Sequence, residues 1–275
     1  GVGKSTFLHT IHKDSLLVCE IKKSNEELAG MAKMKPYLPR AAYFSAIACE
    51  EAMTEFKQQI GEAAYKKLRV GFLSGNTIGG MDLSEHFYDD FLRDKSSGHL
   101  SDVVYHECGA ITELVAEKLN INRYVATLST ACSSSANAIM QGCRLIKHNK
   151  LDVVIAGGTD ALCRFTLNGF NTLMIVDSEP CKPFDDNRKG LNLGEGAGYI
   201  VLVSDAIKKQ LGLMPIAAVS GYANANDAFH QTASSAEGKG NFLAMEQALQ
   251  MSGISPHQVD YINAHGTGTA NNDSS

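Results

Sequence analysis

The sequence predicts an α/β fold in which buried strands alternate with amphipathic helices. Short apolar runs of strand length recur along the 275 residues, and segments whose apolar residues repeat at helical spacing separate them. Hydrophobic residues make up 44% of the chain and charged residues 20%, which allows a sizeable core and excludes a disordered protein. At about 100–200 residues per domain, the length fits one large domain or two lobes.

The individual elements follow from this spacing. Pro39 stands where a helix can begin, and apolar residues from Phe44 to Phe56 then recur at helical spacing, which predicts one buried helical face. Further helices are predicted over residues 110–119, 136–146 and 242–249, and the last of them stops at Gly253. The predicted strands span residues 68–74, 124–128, 151–156, 199–203, 216–222 and 259–264.

Charge and composition argue against several classes of protein. A net charge of −5 and a pI near 6.0 argue against a protein that binds nucleic acid through its phosphates. No apolar run reaches the roughly 18 residues needed to span a bilayer, and no secretory signal opens the chain, so we expect no membrane contact. Seven cysteines, an odd number, do not form a disulfide framework, and we expect a reduced, cytoplasmic setting.

The sequence contains only incomplete versions of metal-binding and nucleotide-binding motifs. No CxxC pair occurs, and the His106-Glu107 pair lacks the second histidine of a zinc-protease helix, so we predict no metal site. The run GKST at residues 3–6 matches the tail of a phosphate-binding P-loop. The glycine and the strand that should precede such a run are not seen ahead of it. A nucleotide-binding P-loop is therefore the weakest hypothesis.

A cysteine at a predicted strand-to-helix turn carries the strongest chemical signal. Cys132 follows the strand over residues 124–128, and serines at positions 133–135 can satisfy the free N–H groups at the start of the next helix. A helix N-terminus stabilises a thiolate, and the same N–H groups can hold an oxyanion. The alternative is a buried apolar cysteine, the commonest environment of this residue. Cys132 is thus the candidate nucleophile, and we interpret the other six cysteines as structural.

His265 is the second candidate catalytic residue. It follows the predicted strand over residues 259–264, and the carboxyl ends of strands in α/β folds carry ligand sites. Glycines and threonines occupy residues 266–269, so a substrate can approach the backbone and find hydroxyl partners. A lone histidine is more often structural, but this setting offers little core packing and favours a functional role.

Five groups of short motifs follow one another along the chain. They are TACSS (130–134), AGGTD (156–160), PFD (183–185), RKG with GEGAG (188–190 and 194–198) and NAHGTGT (263–269). In this order and spacing they resemble the β-ketoacyl-[acyl-carrier-protein] synthases. The run GNTIGGM at residues 75–81 is similar to the first glycine loop of that family, and the resemblance covers essentially the whole chain.

The resemblance implies a thiolase-like fold, a layered αβαβα body built from two pseudo-symmetric α/β halves. The N-terminal half would span residues 1–212 and carry the nucleophilic cysteine. Residues 213–275 would begin the C-terminal half, which carries the first histidine motif and is incomplete here. The resemblance also implies acyl carrier protein as a partner and a dimer, normally of two identical subunits, with a heterodimer as the alternative.

The resemblance also assigns roles to four residues. Cys132 would accept the acyl chain from phosphopantetheine as a thioester. His265 would help to decarboxylate the malonyl group and stabilise the enolate oxygen, while Thr267 and Thr269 would contact the pantetheine arm. No cofactor is implied beyond the phosphopantetheine that carries the substrates. The chemistry agrees, because cysteine is a suitable nucleophile for thioester exchange and donors aimed at an enolate oxygen lower the barrier.

The chain also departs from the family's pattern. The second histidine, a nearby lysine and a phenylalanine gate lie downstream of the motifs present here. We therefore expect a partial chain that, by itself, does not condense substrates. The alternatives are a thiolase-like enzyme that uses coenzyme A and a non-catalytic partner subunit that binds carrier protein. Such a subunit usually replaces the nucleophile, whereas Cys132 is present, which favours a condensing enzyme of fatty-acid or polyketide synthesis.

Overall fold

Helices and strands alternate in the computed structural model, which describes residues 1–230 and 234–275. The helices are α1 (Asn25–Ala32), α2 (Arg40–Ile60), α3 (Glu62–Tyr65), α4 (Met81–Arg93), α5 (Cys108–Leu119), α6 (Ser134–Lys147), α7 (Arg164–Thr172), α8 (Asp205–Leu211), α9 (Lys239–Ser252) and α10 (Ala270–Ser274). The strands are β1 (Val18–Cys19), β2 (Val70–Gly75), β3 (Tyr124–Leu128), β4 (Val153–Asp160), β5 (Leu193–Gly194) and β6 (Gly196–Val203). Short 3-10 helices lie at Leu100–Asp102 and Pro256–Gln258.

Four strands form the main sheet in the order β3-β2-β4-β6. Strand β2 runs parallel to both β3 and β4, and β6 runs antiparallel to β4. Residues Val153 to Thr159 of β4 are buried, as an apolar strand covered on both faces should be. The predicted strands over residues 68–74, 124–128, 151–156 and 199–203 overlap β2, β3, β4 and β6 and are confirmed.

Side chains of β2 and β4 alternate between two helical layers. Phe72, Val153 and Ile155 pack on one face with residues of α2 and α5. Leu73 and Val154 point to the opposite face and pack with residues of α6. This alternation is the period of two that an extended strand imposes on its side chains. The sheet therefore lies between helical layers, and the predicted α/β class is confirmed.

The predicted helices are also confirmed, and two of their ends lie where the sequence places them. Helix α2 begins directly after Pro39, and α9 ends at Ser252 with Gly253 at a φ of 72°, the left-handed conformation that glycine adopts at a helix end. None of the helices in the described parts of the chain is long and apolar enough to cross a membrane.

Two predicted strands are wrong. The structure assigns no strand to residues 216–222 or 259–264. A strand needs a neighbour for its backbone hydrogen bonds, and no described strand lies beside either segment. Residue 221 instead packs against α9, where a Cβ on Gly221 would collide with the carbonyl oxygen of Ala248. Most apolar side chains of both segments stay exposed, with Ile216 at 96% and Tyr261 at 79% of full exposure.

The N-terminal loop that resembles the tail of a P-loop already holds an anion of the protein itself. The backbone N–H groups of Thr6, Phe7 and Leu8 donate to the Glu20 carboxylate over 2.7 to 2.9 Å. Lys22 Nζ donates to the same carboxylate at 2.8 Å. The loop thus serves to fasten the chain to β1, since Gly3 also pairs with Val18.

Candidate active site

Cys132 lies in the turn between β3 and α6, as the sequence predicts. Strand β3 ends at Leu128 and α6 begins at Ser134, and the Cys132 side chain is exposed between them. Ala131, immediately before it, has a φ of 53°, a left-handed conformation that is costly for a residue with a side chain. Such a sharp turn presents the cysteine side chain outward from the end of the sheet.

Serine and threonine side chains hold this turn together. Ser134 Oγ donates to the carbonyl of Ala131 at 2.6 Å and accepts from the N–H of Thr130 at 2.9 Å. Ser133 Oγ donates to the carbonyl of Thr130 at 2.8 Å. The predicted role of the serines is wrong in one respect, because Ser133 precedes α6 without a side-chain capping bond. Ser133 and Ser134 stabilise the turn itself.

Glycines let the start of α6 approach the ends of β2 and β4. A Cβ on Gly75 would lie 2.5 Å from the backbone nitrogen of Ser135, and a Cβ on Gly158 would collide with the Ser135 hydroxyl. No larger residue fits without a shift of backbone at these positions. The glycines of the GNTIGGM and AGGTD motifs thus place the helix that follows Cys132 directly on the sheet.

A cavity of about 250 Å³ opens beside Cys132. It is lined by Gly75, Ala131, Cys132, Ser134, Ser135, Gly158, Thr159, Asp160, Gly196, Ala197 and Gly198. These residues come from the ends of the central strands and from the Cys132 turn. The motifs 130–134, 156–160 and 194–198, distant in sequence, therefore meet at one cavity.

His265 reaches Cys132 from the C-terminal part of the chain. The interaction between the two side chains lowers the pKa of the Cys132 thiol and raises the pKa of His265. Burial opposes both shifts, and the negative charge of Asp160 also opposes ionisation of the thiol. The net result favours a thiolate next to an imidazolium, the pairing that activates a cysteine nucleophile. Residues 259–264, directly before His265, do not form the predicted strand, so the loop of His265 is held by other contacts.

Contacts with residues 181–190 hold the loop that carries His265. Cys181 Sγ donates to the carbonyl of Thr267 at 3.2 Å, and Arg188 Nε donates to the carbonyl of Thr269 at 3.4 Å. The backbone N–H of Gly268 donates to Asp273 at 3.1 Å. The hydroxyls of Thr267 and Thr269 form a hydrogen bond of 2.8 Å with each other, so these two predicted binding residues lie together on this loop.

Asp160 is a site residue that the sequence pattern did not single out. It lies at the carboxyl end of β4 and lines the same cavity as Cys132. Its carboxylate accepts from Thr77 Oγ1 at 2.6 Å and from the backbone N–H groups of Thr77 at 2.9 Å and Ile78 at 3.2 Å. It therefore fixes the glycine loop beside the cavity. Its position at the end of a central parallel strand is the signal that could have identified it.

Several other cysteines lie in settings that suppress their reactivity. Burial raises the pKa of the thiols of Cys49, Cys143, Cys163 and Cys181. For Cys163 the value reaches about 11. A thiol with a raised pKa carries little thiolate at neutral pH and reacts slowly. These four are consistent with the interpretation of the remaining cysteines as structural.

Several curated proteins are similar to this chain. A 3-oxoacyl-[acyl-carrier-protein] synthase 2 of Rhizobium meliloti (strain 1021) is 33% identical over 237 residues, which cover 79% of this chain and 55% of the relative. A protein of the same name from Staphylococcus aureus is 30% identical over 280 residues, 98% of this chain and 68% of the relative. The chain thus spans between about half and two thirds of the length of these two relatives.

Solved structures share the fold. A chain in the structure of a ketosynthase in complex with its chain length factor from Xenorhabdus doucetiae superposes with a TM-score of 0.77 at 29% identity, covering 99% of this chain and 65% of that one. A chain of the ishigamide ketosynthase/chain length factor superposes with a TM-score of 0.86 at 26% identity, covering 99% and 67%. These neighbours confirm the predicted thiolase-like fold class.

Family models match both parts of the chain. The model of the beta-ketoacyl synthase N-terminal domain matches residues 22–206, and the model of the C-terminal domain of the same family matches residues 216–275. The first match alone covers more than half of the chain and contains the Cys132 turn and the cavity, while the second contains His265. This chain belongs to the β-ketoacyl synthase family.

Proposed function

We propose that this chain is the part of a β-ketoacyl synthase that carries the acyl-accepting cysteine and one catalytic histidine. The position of Cys132 beside a cavity, with His265 near enough to lower the pKa of its thiol, carries the proposal. The reaction is the decarboxylative Claisen condensation of an acyl thioester with malonyl-[acyl carrier protein], in fatty-acid or polyketide synthesis. The names of the curated relatives support this substrate class.

Acyl transfer to the cysteine is the first step. The Cys132 thiolate attacks the carbonyl carbon of the acyl thioester, a new carbon–sulfur bond forms, and the bond to the phosphopantetheine sulfur breaks. The proton held by His265 balances the departing thiolate. Backbone N–H groups at the start of α6 are suited to hold the oxyanion of the tetrahedral intermediate.

Decarboxylation and condensation follow. The carbon–carbon bond of the malonyl group breaks, carbon dioxide leaves, and the electron pair forms an enolate whose oxygen accepts a hydrogen bond from His265. The enolate carbon then attacks the acyl group on Cys132, and the cysteine leaves as a thiolate. Thr267 and Thr269 contact the pantetheine arm through their hydroxyls. No cofactor takes part other than the phosphopantetheine that carries both substrates.

We also propose acyl carrier protein as the partner, and a homodimer in the cytoplasm. Within the described residues, strand β3 pairs with β2 along one edge, and its other edge is open. An open strand edge is a ready site for pairing with another chain. A heterodimer is the alternative, and the ketosynthases solved with a chain length factor support it.

A non-catalytic partner subunit remains the alternative function, because the neighbours include complexes with chain length factors. A thiolase-like enzyme that uses coenzyme A is the other. The exposed Cys132, activated by His265, favours a catalytic subunit over the first. The choice between carrier protein and coenzyme A rests on the names of the curated relatives.

Limiting iodoacetamide tests the nucleophile. We expect Cys132 to be carboxamidomethylated first, because its pKa is lowered while burial raises the pKa of Cys143 and Cys163. Peptide mass spectrometry identifies the modified residue. Preferential labelling of Cys143 or Cys163, with Cys132 inert, contradicts the assignment.

In the full-length enzyme, the variant His265→Ala separates the two roles of the histidine. Loss of the imidazole raises the pKa of the Cys132 thiol, so acyl loading falls at neutral pH and recovers as the pH rises and the thiol ionises. Decarboxylation loses a donor to the enolate, so release of carbon dioxide stays impaired at every pH and falls further than loading. Acyl-enzyme formation and carbon dioxide release are measured separately across pH. Equal loss of both, with equal recovery at high pH, shows that His265 only activates the thiol.

A further inference from the structure

A buried amide lies on the first turn of α6, beside the Cys132 turn. Asn137 is only 6% exposed. Its Nδ2 donates to Thr130 Oγ1 at 2.8 Å and to Ser133 Oγ at 3.3 Å, and its Oδ1 accepts from Asn224 Nδ2 at 2.9 Å. One side chain therefore connects Thr130, two residues after β3, with the residue before α6 and with a segment 87 residues further along the chain.

The hydrogen bonds of Asn137 reach both ends of the strained part of the turn. Thr130 and Ser133 stand at the two ends of the segment that contains Ala131, with its φ of 53°, and Cys132. A non-glycine residue in the left-handed region persists only where its surroundings hold it there. Ser133 Oγ also lies 3.1 Å from Thr130 Oγ1 and donates to it, so Asn137 completes a closed triangle of side chains under the cysteine.

An amide suits this position because it supplies a donor and an acceptor at once. A buried polar group that loses its partner is destabilising, and here loss of the Asn137 amide leaves both the Thr130 hydroxyl and the Asn224 amide short of a partner. The turn would then relax toward an unstrained backbone. Relaxation of the turn moves Cys132 relative to His265, which comes from a different part of the chain.

We propose that Asn137 is a positioning residue for Cys132. It holds the 130–133 turn in the strained form that directs the cysteine Sγ toward His265, and Asn224 fixes the orientation of its amide. The proposal rests on the proposed function, in which Cys132 is the nucleophile. Asn137 itself touches neither reacting sulfur nor substrate in this scheme.

The main test is Asn137→Ala in the full-length synthase, followed by the rate constant for iodoacetamide alkylation of Cys132 and the steady-state kinetics of condensation. We expect kcat to fall about 10- to 100-fold, because misplacement of a reacting group by about 1 Å can cost that much, while KM for the carrier substrate stays within about twofold. Alkylation of Cys132 at neutral pH should also slow, because the displaced thiol loses its contact with His265. The exposed Asn122→Ala, in the loop before β3, is the matched control and should leave both rates unchanged.

A conservative charge variant tests whether hydrogen bonding at position 137 restores the reaction. Asn137→Asp keeps an acceptor for Asn224 and for the hydroxyls of Thr130 and Ser133, but places a negative charge against the turn that carries the thiol. We expect most of kcat to return at high pH and the pH profile of Cys132 alkylation to move upward, since a nearby anion raises a thiol pKa. If Asn137→Ala fails to fold, Asn224→Ala, which removes a single bond, should show a smaller loss of kcat in the same direction.

The outcomes separate this inference from the function on which it rests. Wild-type kcat and alkylation rate in Asn137→Ala overturn the positioning role while leaving Cys132 as the nucleophile. Failure of Asn137→Asp to recover kcat at high pH also overturns it. Persistence of acyl-enzyme formation in Cys132→Ala overturns the proposed function instead. Loss of kcat in Asn137→Ala, with recovery and a shifted profile in Asn137→Asp, supports the inference.

Discussion

Residues 1–212 and residues 213–275 have similar apolar patterns but very different packing. All strands of the described structure lie in the first region. Every buried hydrophobic residue of the described structure lies there too. In the second region α9 forms without a buried residue, and two apolar runs of strand length stay irregular. A helix satisfies its hydrogen bonds within itself, whereas a strand requires a neighbour, so the same sequence pattern gives structure in one region and not in the other.

The largest expected difference between the regions concerns core phenylalanines. Phe72 in β2 is fully buried between helices, whereas Phe242 in α9 is 59% exposed. We expect Phe72→Ala to lower the free energy of unfolding by about 3–5 kcal/mol, because it removes a large buried side chain and leaves a cavity. Phe242→Ala should change it by less than about 0.5 kcal/mol, as exposed substitutions do. Urea denaturation of both variants measures the difference.

A large effect of Phe242→Ala is the result that would break this comparison. It would mean that a segment or partner covers α9 in the assembled protein, and that the second region has a core of its own. In that case the loss should come with a change in m-value or oligomeric state, which analytical ultracentrifugation and the denaturation slope detect.

A smaller difference is expected for two glycines that are equally crowded. A Cβ on Gly158 would collide with Ser135 Oγ, and a Cβ on Gly221 would collide with the carbonyl of Ala248. Gly158→Ala should destabilise the protein by about 1–3 kcal/mol and slow alkylation of Cys132, because α6 and the sheet cannot separate without disturbing the core. Gly221→Ala should cost less, because the exposed segment can shift away from α9.

Gly169 provides the control for these substitutions. It lies inside α7 with no atom within 4 Å of an added Cβ, so Gly169→Ala should stabilise the protein by about 0.5–1 kcal/mol. The melting temperatures of the three variants rank them by stability. Equal losses at positions 158 and 221 would show that the second region is as rigid as the first.

The sequence predicts those features that depend on neighbouring residues. Strands β2 and β4 are apolar runs of the right length, and the turn at Cys132 follows from a strand that leads into Thr130 and a group of serines. The glycine and threonine setting of His265 is likewise visible in the order of the residues. These features form from local hydrogen bonds and from burial that the apolar pattern itself encodes.

Contacts between distant residues could not be predicted in the same way. The bond from Asn224 to Asn137 joins residues 87 apart, and the pair of Cys132 and His265 joins different parts of the fold. Nothing in the sequence near Asn137 distinguishes it from an ordinary polar helix residue. The strands predicted over residues 216–222 and 259–264 failed for the opposite reason, because their patterns are clear but no described partner strand is present.

The smallest expected change in stability concerns two carboxylates, one in each region. Each carboxylate fastens a loop by accepting hydrogen bonds from backbone N–H groups. Burial opposes ionisation of Glu20, but its bonds to Lys22 and to the 6–8 loop outweigh burial and lower its pKa to about 2. This contribution to stability is present above the ordinary carboxyl pKa and is lost as the pH falls toward 2. Glu20→Gln should therefore lower the melting temperature at pH 7 by about 2–4 °C, or about 1 kcal/mol, and flatten the loss of stability in acid.

Asp273 should respond differently to the same isosteric change, because it fastens the loop of His265 rather than a loop of the core. Burial again opposes its ionisation, yet the N–H groups of Phe184 and Gly268 help to lower its pKa. Asp273→Asn should leave the melting temperature within about 1 °C, since the loop lies at the surface, but slow the alkylation of Cys132 through a less ordered His265. Melting curves and alkylation rates of Glu20→Gln and Asp273→Asn across pH 3–8 test this reciprocal pattern. If Asp273→Asn melts earlier than Glu20→Gln and alkylates normally, the second region contributes stability rather than positioning, and the contrast between the regions fails.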